Sequence, residues 1–201
     1  MKKIPVVVCV AVLTTVLLVF CNQPEAKEQV TDANETTDAP MSPDSMVKRG
    51  AYLVSIMGCN DCHTPKKMGP QGPYFDEERT LSGHPSEVPV APYDANTSKN
   101  WILFNQMLTN YVGPWGTSFS ANLTPDSTGI GGWTEAQFLK AIREGKYKGL
   151  DNTRPLLPPM PWQEYRKATD EDLKAVFAYL RSLKPIRNVV PTAKINMPPK
   201  S

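Results

Sequence analysis

The sequence predicts a helical domain in which long loops surround a bound group. Three segments carry helical signals, while residues 64–132 and 146–168 contain many prolines and glycines and show no convincing strand-type alternation. Loops of this length are uncommon in a compact domain unless they wrap around something. The composition agrees with one soluble globular domain, since 40% of the 201 residues are hydrophobic and 21% are charged.

The first helical segment, SMVKRGAYLVSIMG, covers residues 45–58. Ser45 is a capping residue, apolar side chains follow it at helical spacing, and Gly58 is a stop signal. We expect this helix to deliver the chain directly to Cys59.

The second helical segment is TEAQFLKAIREG, residues 134–145. Thr134 and Gln137 fit a capping box, and Gly145 suits the C-terminal end of a helix. The segment also has an apolar stripe, so it predicts an amphipathic helix.

The third helical segment, TDEDLKAVFAYLRSLKP, has the strongest pattern. Thr169 caps a first turn with three acids, which suit the helix dipole, and Pro185 ends the segment. One face is apolar, and it is formed by Leu173, Val176, Phe177, Leu180 and Leu183. Between the helices, NWILFNQMLTNYV at residues 100–112 fits a helix or a strand, and its periodicity does not decide between them.

Two cysteines and a histidine, Cys59, Cys62 and His63, occupy five consecutive positions in MGCNDCHTPK. A zinc site needs about four protein ligands, and the folded part adds only His84 and scattered carboxylates. A thioredoxin-like dithiol would require a βαβ neighbourhood, which the pattern lacks. Cys-x-x-Cys-His is the attachment sequence of c-type haem, in which both thiols form thioethers and the histidine binds the iron. The motif therefore predicts one covalently bound haem c.

The opposite side of the iron needs a second axial ligand if the haem transfers electrons. Met160 is the candidate, because Pro158, Pro159 and Pro161 fix the backbone around it and exclude a helix. The alternative ligand is His84 in LSGHPSE, which otherwise fits a loop histidine bonded to the backbone.

Residues 1–21 have the pattern of an export signal. Lys2 and Lys3 precede an apolar run that ends at Phe20, somewhat shorter than the roughly 20 residues of a membrane span. Cys21 then resembles the lipidated cysteine of a bacterial lipoprotein, although the preceding phenylalanine is larger than the usual small residue. We expect an exported protein anchored at the periplasmic or cell-surface side, with an uncleaved anchor as the alternative to lipidation.

The remaining boundaries follow from composition. Residues 22–44 contain six acids, one lysine and no aromatic residue, which predicts a flexible acidic linker. The haem domain is assigned to residues 45–190 and a C-terminal tail to 191–201.

The folded part is basic, since residues 46–201 carry 19 basic and 14 acidic side chains. Basic residues lie in sequence near the haem motif and the second helix, which favours either steering towards an acidic partner or a solvated basic face. They are not interleaved with aromatic residues, so the pattern gives no support for a nucleic-acid partner. The cluster is Lys66, Lys67, Lys140, Arg143, Lys146 and Lys148.

Four stretches occur in a characteristic order: GAYLVSIMGCNDCH, SANLTPDSTGIGGWTEAQFLKAIREG, LLPPMPWQEY and TDEDLKAVFAYLRSLKP. Together they resemble the class I type mono-haem cytochrome c domain. More narrowly, they are similar to membrane-tethered bacterial cytochromes c related to the haem subunits of alcohol and gluconate dehydrogenases. The resemblance covers most of residues 50–185. It implies an all-α, cytochrome c-like fold in which the first and last helices cross, with Gly50 and Tyr179 at the crossing.

The resemblance also bears on the haem edge. It implies that Asn122, Thr124 and Trp133 contact the propionates or the porphyrin. A loop that precedes a capped helix, with no contact to haem, agrees equally with these residues. The chain departs from the multi-haem subunits because it has a single Cys-x-x-Cys-His. Residues 76–116 are longer than small cytochromes require, so specificity for a partner could reside there.

These patterns predict an electron carrier more than an independent catalyst, since no paired carboxylates, nucleophile triad or phosphate loop is visible. Single electrons would pass between a redox donor and acceptor, such as a dehydrogenase or a terminal oxidase. The alternatives are a haem sensor or small-molecule catalyst with an open or displaceable sixth site, and a structural haem subunit.

Overall fold

The structure, a computed structural model, describes residues 41–196. The predicted export signal, Cys21, most of the predicted linker and the last five residues of the predicted tail lie outside this range. Within the described residues, no helix combines the length and apolar composition needed to cross a bilayer.

Three longer helices form the core of the described part, and shorter helices accompany them. Short 3₁₀ turns lie in the connections, at Glu77–Arg79, Thr97–Lys99 and Tyr147–Gly149. The α-helices are α1 (Pro43–Ile56), α2 (Cys59–His63), α3 (Glu135–Glu144), α4 (Trp162–Tyr165) and α5 (Asp170–Ser182).

Two antiparallel sheets accompany these helices, so the expectation of an all-α fold is wrong. A two-stranded sheet pairs β1 (Lys66–Gly69) with β2 (Gly72–Phe75). A four-stranded sheet has the order β3-β4-β5-β6. Its strands are β3 (Leu103–Phe104), β4 (Asn110–Gly113), β5 (Gly116–Phe119) and β6 (Lys194–Ile195).

The sequence does not predict these strands because they are only two to four residues long. An alternation of apolar and polar residues cannot be recognised over so short a segment. Their signal lies in the turns instead. Both hairpins close through Gly-Pro-x-Gly, at residues 69–72 and 113–116, with the two glycines of each turn paired across the strands. Proline at the second position and glycine at the fourth are favoured in tight turns. The undecided segment 100–112 thus contains β3 and most of β4, and residues 194 and 195 of the predicted tail form β6.

The helix predictions are confirmed in their main features. At α3, the Thr134 side chain accepts from the backbone N–H of Gln137, whose side chain accepts from the Thr134 N–H in return. Gly145 ends this helix in the left-handed conformation with φ of 64°. Thr169 caps α5 as expected. The first helix begins at Pro43, because Ser42 rather than Ser45 is its cap.

The first and last helices cross as the resemblance implies. A Cβ atom on Gly50 would lie 1.9 Å from the Ala175 carbonyl oxygen and 2.7 Å from Cβ of Tyr179, so only glycine permits this approach. The closest partner is therefore the backbone of α5, beside the predicted tyrosine. Apolar side chains of α1, α3 and α5 fill the core around the crossing: Leu53, Val54, Phe138, Ile142, Leu173, Val176, Phe177 and Leu180.

Candidate haem site

The two cysteines and the histidine lie on a short helix that follows α1 directly. We call residues 58–64 the Cys-His segment. Gly58 has φ of 67°, a left-handed conformation suited to glycine, and it turns the chain from α1 into α2. Cys59 and Cys62 are three residues apart on α2, so their side chains lie on one side of it. Both are half-buried, and neither is in a disulfide bond.

The imidazole of His63 is oriented by one hydrogen bond. Its Nδ1 lies 2.8 Å from the carbonyl oxygen of Ala121. Because a carbonyl can only accept, Nδ1 carries the proton and Nε2 keeps its lone pair. Burial lowers the pKa of His63, although the bond to Ala121 acts in the opposite direction. The residue is therefore a neutral imidazole with Nε2 available to a metal, the tautomer that a histidine ligand needs.

The surroundings of the Cys59 thiol disfavour negative charge. Burial raises the pKa of Cys59 to about 11, with smaller contributions from Cys62 and Asp61 in the same direction. The group is therefore a neutral thiol at pH 7. Zinc binds thiolates, whereas a thioether is uncharged. Within the described residues no group of three or more His, Cys, Asp or Glu side chains is arranged to hold a metal ion, so covalent attachment of the sulfurs fits the site better than zinc coordination.

Tyr111 of β4 lies beside the Cys-His segment. It is 3% exposed. The hydroxyl donates to the Leu108 carbonyl oxygen and lies 2.9 Å from Oγ of Ser120. Burial raises the pKa of Tyr111, and the nearby Cys62 contributes to the rise. No residue pattern signals this contact, since Tyr111 stands in the segment whose secondary structure was undecided.

Tyr165 of α4 lies near Cys59 and bonds to the end of α1. Its hydroxyl donates to the carbonyl oxygen of Met57, the C-terminal cap of α1, across 2.5 Å. Burial raises the pKa of Tyr165 to about 12, and the nearby Cys59 adds to the effect. This bond ties the end of α1 to the helix that follows Met160.

Met160 lies in a loop of residues 155–161, which we call the methionine loop. The half-buried side chain packs against the hydrophobic core cluster that Cys59 and Tyr165 also contact. The structure thus brings Met160 and Cys59 to one hydrophobic cluster, although Met160 lies 97 positions after His63 in the sequence.

His84, the alternative axial ligand, is fully buried and already engaged through both ring nitrogens. Nδ1 lies 2.9 Å from Oγ1 of Thr109, and Nε2 lies 3.0 Å from the carbonyl oxygen of Val88. Because that carbonyl only accepts, Nε2 donates and Nδ1 accepts from the threonine hydroxyl. Neither nitrogen is left for iron, so the structure supports the interpretation of His84 as a loop histidine.

Residues 47–184 match the cytochrome c family. The chain belongs to the cytochrome c family. Its cofactor is covalently bound haem c, and the Cys-His segment fits it through the two cysteine sulfurs outside any disulfide and the lone pair on Nε2 of His63.

The relatives of this cytochrome include subunits of dehydrogenases, as the resemblance predicted. It is 32% identical over 154 residues to the gluconate 2-dehydrogenase cytochrome c subunit of Pantoea cypripedii, covering 76% of this chain and 25% of that protein. It is 38% identical over 149 residues to the alcohol dehydrogenase (quinone) cytochrome c subunit of Komagataeibacter europaeus, covering 73% and 24%.

A third relative aligns over a shorter region. This is a nicotinate dehydrogenase subunit of Pseudomonas putida, 41% identical over 86 residues, which cover 42% of this chain and 7% of that protein. The cytochrome thus spans a quarter or less of the length of these relatives.

The loop before α3 uses its polar side chains within the protein. Asn122 Oδ1 accepts from the backbone N–H and the hydroxyl of Thr124, and Nδ2 donates to the Ile186 carbonyl oxygen across 2.8 Å. Trp133 packs against the hydrophobic core. The polar groups of Asn122 and Thr124 are therefore engaged in holding this loop to the segment after α5.

The predicted basic cluster is partly neutralised. Lys67 forms a salt bridge with Asp76, and Lys140 forms one with Asp151. Arg143 pairs with the Asp170 carboxylate at the start of α5. Half of the cluster is thus paired within the fold, so the observed charges fit a solvated face better than an unopposed basic patch.

Proposed function

We propose that this cytochrome is an exported electron carrier whose haem iron is bound by His63 and Met160 and passes single electrons between redox partners. The observation that carries the proposal is the hydrogen bond from Nδ1 of His63 to Ala121, 2.8 Å long, which leaves Nε2 unprotonated beside two attachment cysteines. When bound, haem supplies an iron that takes up and releases one electron.

The protein's own contribution is to keep the surroundings fixed during the change of charge. Cys59 and Cys62 attach the group covalently, and the carbonyl of Ala121 prevents rotation of the His63 ring. The lowered pKa of His63 disfavours its protonation, which would remove the lone pair needed for ligation. A site with constant ligation requires little reorganisation, which suits a carrier.

Met160 is proposed as the second axial ligand because its loop is rigid and rests on the same core cluster as Cys59. A soft thioether favours the reduced iron and raises the redox potential relative to a second histidine. The engagement of both nitrogens of His84 removes the main alternative in the described residues.

The experiment that tests the carrier role combines two measurements on the purified holoprotein. A redox titration should give one reversible one-electron step. The reduced protein should bind carbon monoxide slowly or not at all, since both axial positions are filled. Rapid carbon monoxide binding by the wild type would contradict the proposal and favour a sensor or catalyst with an open sixth site.

The partner is proposed to be a dehydrogenase, with a terminal oxidase as the acceptor. The support comes from the relatives, which are named as cytochrome subunits of gluconate and alcohol dehydrogenases. Reduction of the holoprotein by membranes supplied with gluconate or ethanol tests this. Failure of both substrates would overturn those two dehydrogenases as donors, while the carrier role would stand on the redox titration.

The location is proposed from residues 1–44, most of which lie outside the described residues. An export signal, lipidation at Cys21 and a flexible linker would hold the haem domain at the periplasmic or cell-surface side of a membrane. In a Cys21→Ser variant the haem protein should leave the membrane fraction. Retention of that variant in the membrane would favour an uncleaved anchor.

A further inference from the structure

The methionine loop makes few hydrogen bonds with its own backbone. Pro158, Pro159 and Pro161 have no N–H group, so Met160 has the one backbone donor among these four residues. That donor is used within the loop, since the Met160 N–H lies 3.2 Å from the carbonyl oxygen of Leu157. At the start of the loop, the Leu156 N–H donates to the Gly145 carbonyl oxygen across 2.7 Å. The prolines fix the shape of the loop nearer Met160, and the placement of that part needs a contact of its own.

Ser118 of β5 supplies such a contact. Its hydroxyl donates to the carbonyl oxygen of Pro158 across 2.7 Å, two residues before Met160. The side chain is almost completely buried, with 4% of the residue exposed. Pro158 is exposed, so the bond is part-buried, and its buried donor is shielded from competing water.

Trp115 directs the hydroxyl of Ser118. The indole Nε1 donates to Oγ of Ser118 across 3.1 Å, and because an indole N–H cannot accept, the serine proton is left for Pro158. The indole ring is itself fixed by packing over Gly113, where an added Cβ would lie 2.5 Å from the ring. Trp115, Ser118 and Pro158 thus form a relay with one direction of donation.

The same hairpin lies near the Cys-His segment. Ser118 pairs directly with Tyr111 across β4 and β5, and Cys62 is near enough to the Tyr111 hydroxyl to add to the rise in pKa that burial causes. One pair of strands is therefore bonded to the methionine loop and close to an attachment cysteine.

We propose that Ser118 is a positioning residue for Met160: its hydroxyl holds the methionine loop so that the sulfur stays on the iron. The proposal rests on the ligation by Met160 proposed above. It assigns a role to β5, the strand that directly follows the long segment 76–116.

The test is the binding of imidazole to the oxidised holoprotein, because imidazole competes with the methionine sulfur for the sixth position. Loss of the hydrogen bond to Pro158 should weaken the hold on the loop, so Ser118→Ala should bind imidazole about two- to tenfold more tightly than the wild type. Ser118→Thr keeps the hydroxyl and should restore the wild-type affinity. Trp115→Phe, which removes only the directing donor, should shift the affinity in the same direction by a smaller factor.

The matched control is Thr117→Val. Thr117 is adjacent on β5, equally buried and on the opposite face of the strand, so this change removes a hydroxyl without touching the methionine loop. Its imidazole affinity should equal that of the wild type. Equal affinities in Ser118→Ala and Thr117→Val would overturn the positioning role.

A Met160→Ala variant separates this failure from a failure of the proposed function. If Met160→Ala changes the oxidised absorption spectrum but Ser118→Ala behaves like Thr117→Val, Met160 is the ligand and only the role of Ser118 is overturned. If Met160→Ala leaves the spectrum unchanged, the ligation itself is overturned, and the positioning role falls with it.

Discussion

The Cys-His segment and the methionine loop hold their side chains by different means. The Cys-His segment continues from a core helix. Tyr165 bonds to Met57 directly before it, and Ala121 bonds to His63 within it. The methionine loop is shaped by its prolines and held from outside by the Ser118 hydroxyl. The first continues directly from a core helix, whereas the second rests on the core through Met160 and receives a side-chain hydrogen bond from the sheet. Changes around the first should abolish the holoprotein or unfold it, while changes around the second should alter ligation in a folded protein.

The largest effect is expected from removal of both attachment thiols. Cys59→Ala combined with Cys62→Ala leaves no sulfur to form a thioether, so covalent haem should be lost completely. Haem staining of a denaturing gel and the mass of the protein measure this. The control is Cys21→Ser, which changes a cysteine outside the motif and should keep the attached haem. Covalent haem in the double variant would contradict the assignment of Cys59 and Cys62 as the haem attachment residues.

A large loss of stability is expected at the helix crossing that supports the Cys-His segment. Gly50→Val would place side-chain atoms against the Ala175 carbonyl, 1.9 Å from the position of Cβ, and should lower the free energy of unfolding by about 3 kcal/mol. Urea unfolding of the holoprotein measures the change. Gly132→Ala is the control, because an added Cβ there meets no atom within 4 Å. Similar stability of the two variants would contradict the crossing.

A pH-dependent effect is expected from His84, whose backbone N–H donates to the Ser120 carbonyl oxygen next to Ala121. Burial lowers the pKa of His84 below its ordinary value of 6.5, so the unfolded chain binds a proton first as the pH falls. Stability should therefore be retained above pH 6.5 and decline below it, by at most about 1.4 kcal/mol per pH unit from this residue.

His84→Gln isolates that contribution, since its amide still offers a donor and an acceptor but does not titrate. The difference in unfolding free energy between pH 8 and pH 5 should be smaller in His84→Gln than in the wild type. An identical pH dependence would mean that His84 is not buried as a neutral ring.

The parts of this molecule that its sequence predicts are those specified by neighbouring residues. Thr134 and Gln137 are three positions apart, and they predict α3 through a capping box that the structure contains. The cysteine motif is equally local. The hairpins were missed because short strands carry no alternation, and Gly-Pro-x-Gly was their usable signal.

The contacts that complete the site join distant positions. His63 meets a backbone carbonyl 58 residues away, and Ser118 meets one 40 residues away. Backbone acceptors leave no trace in residue identity, since every residue carries a carbonyl group. Such contacts depend on the packing of the sheet, which no local pattern encodes.

The central claim, that the methionine loop supplies the second ligand, is tested most directly by the absorption spectrum of the oxidised holoprotein. The wild type should be low-spin with a weak far-red sulfur-to-iron band, and Met160→Ala should lose that band. Met68→Ala should keep it, because Met68 lies on β1 with 60% of its surface exposed. A far-red band that persists in Met160→Ala, or a high-spin wild type, would contradict the account.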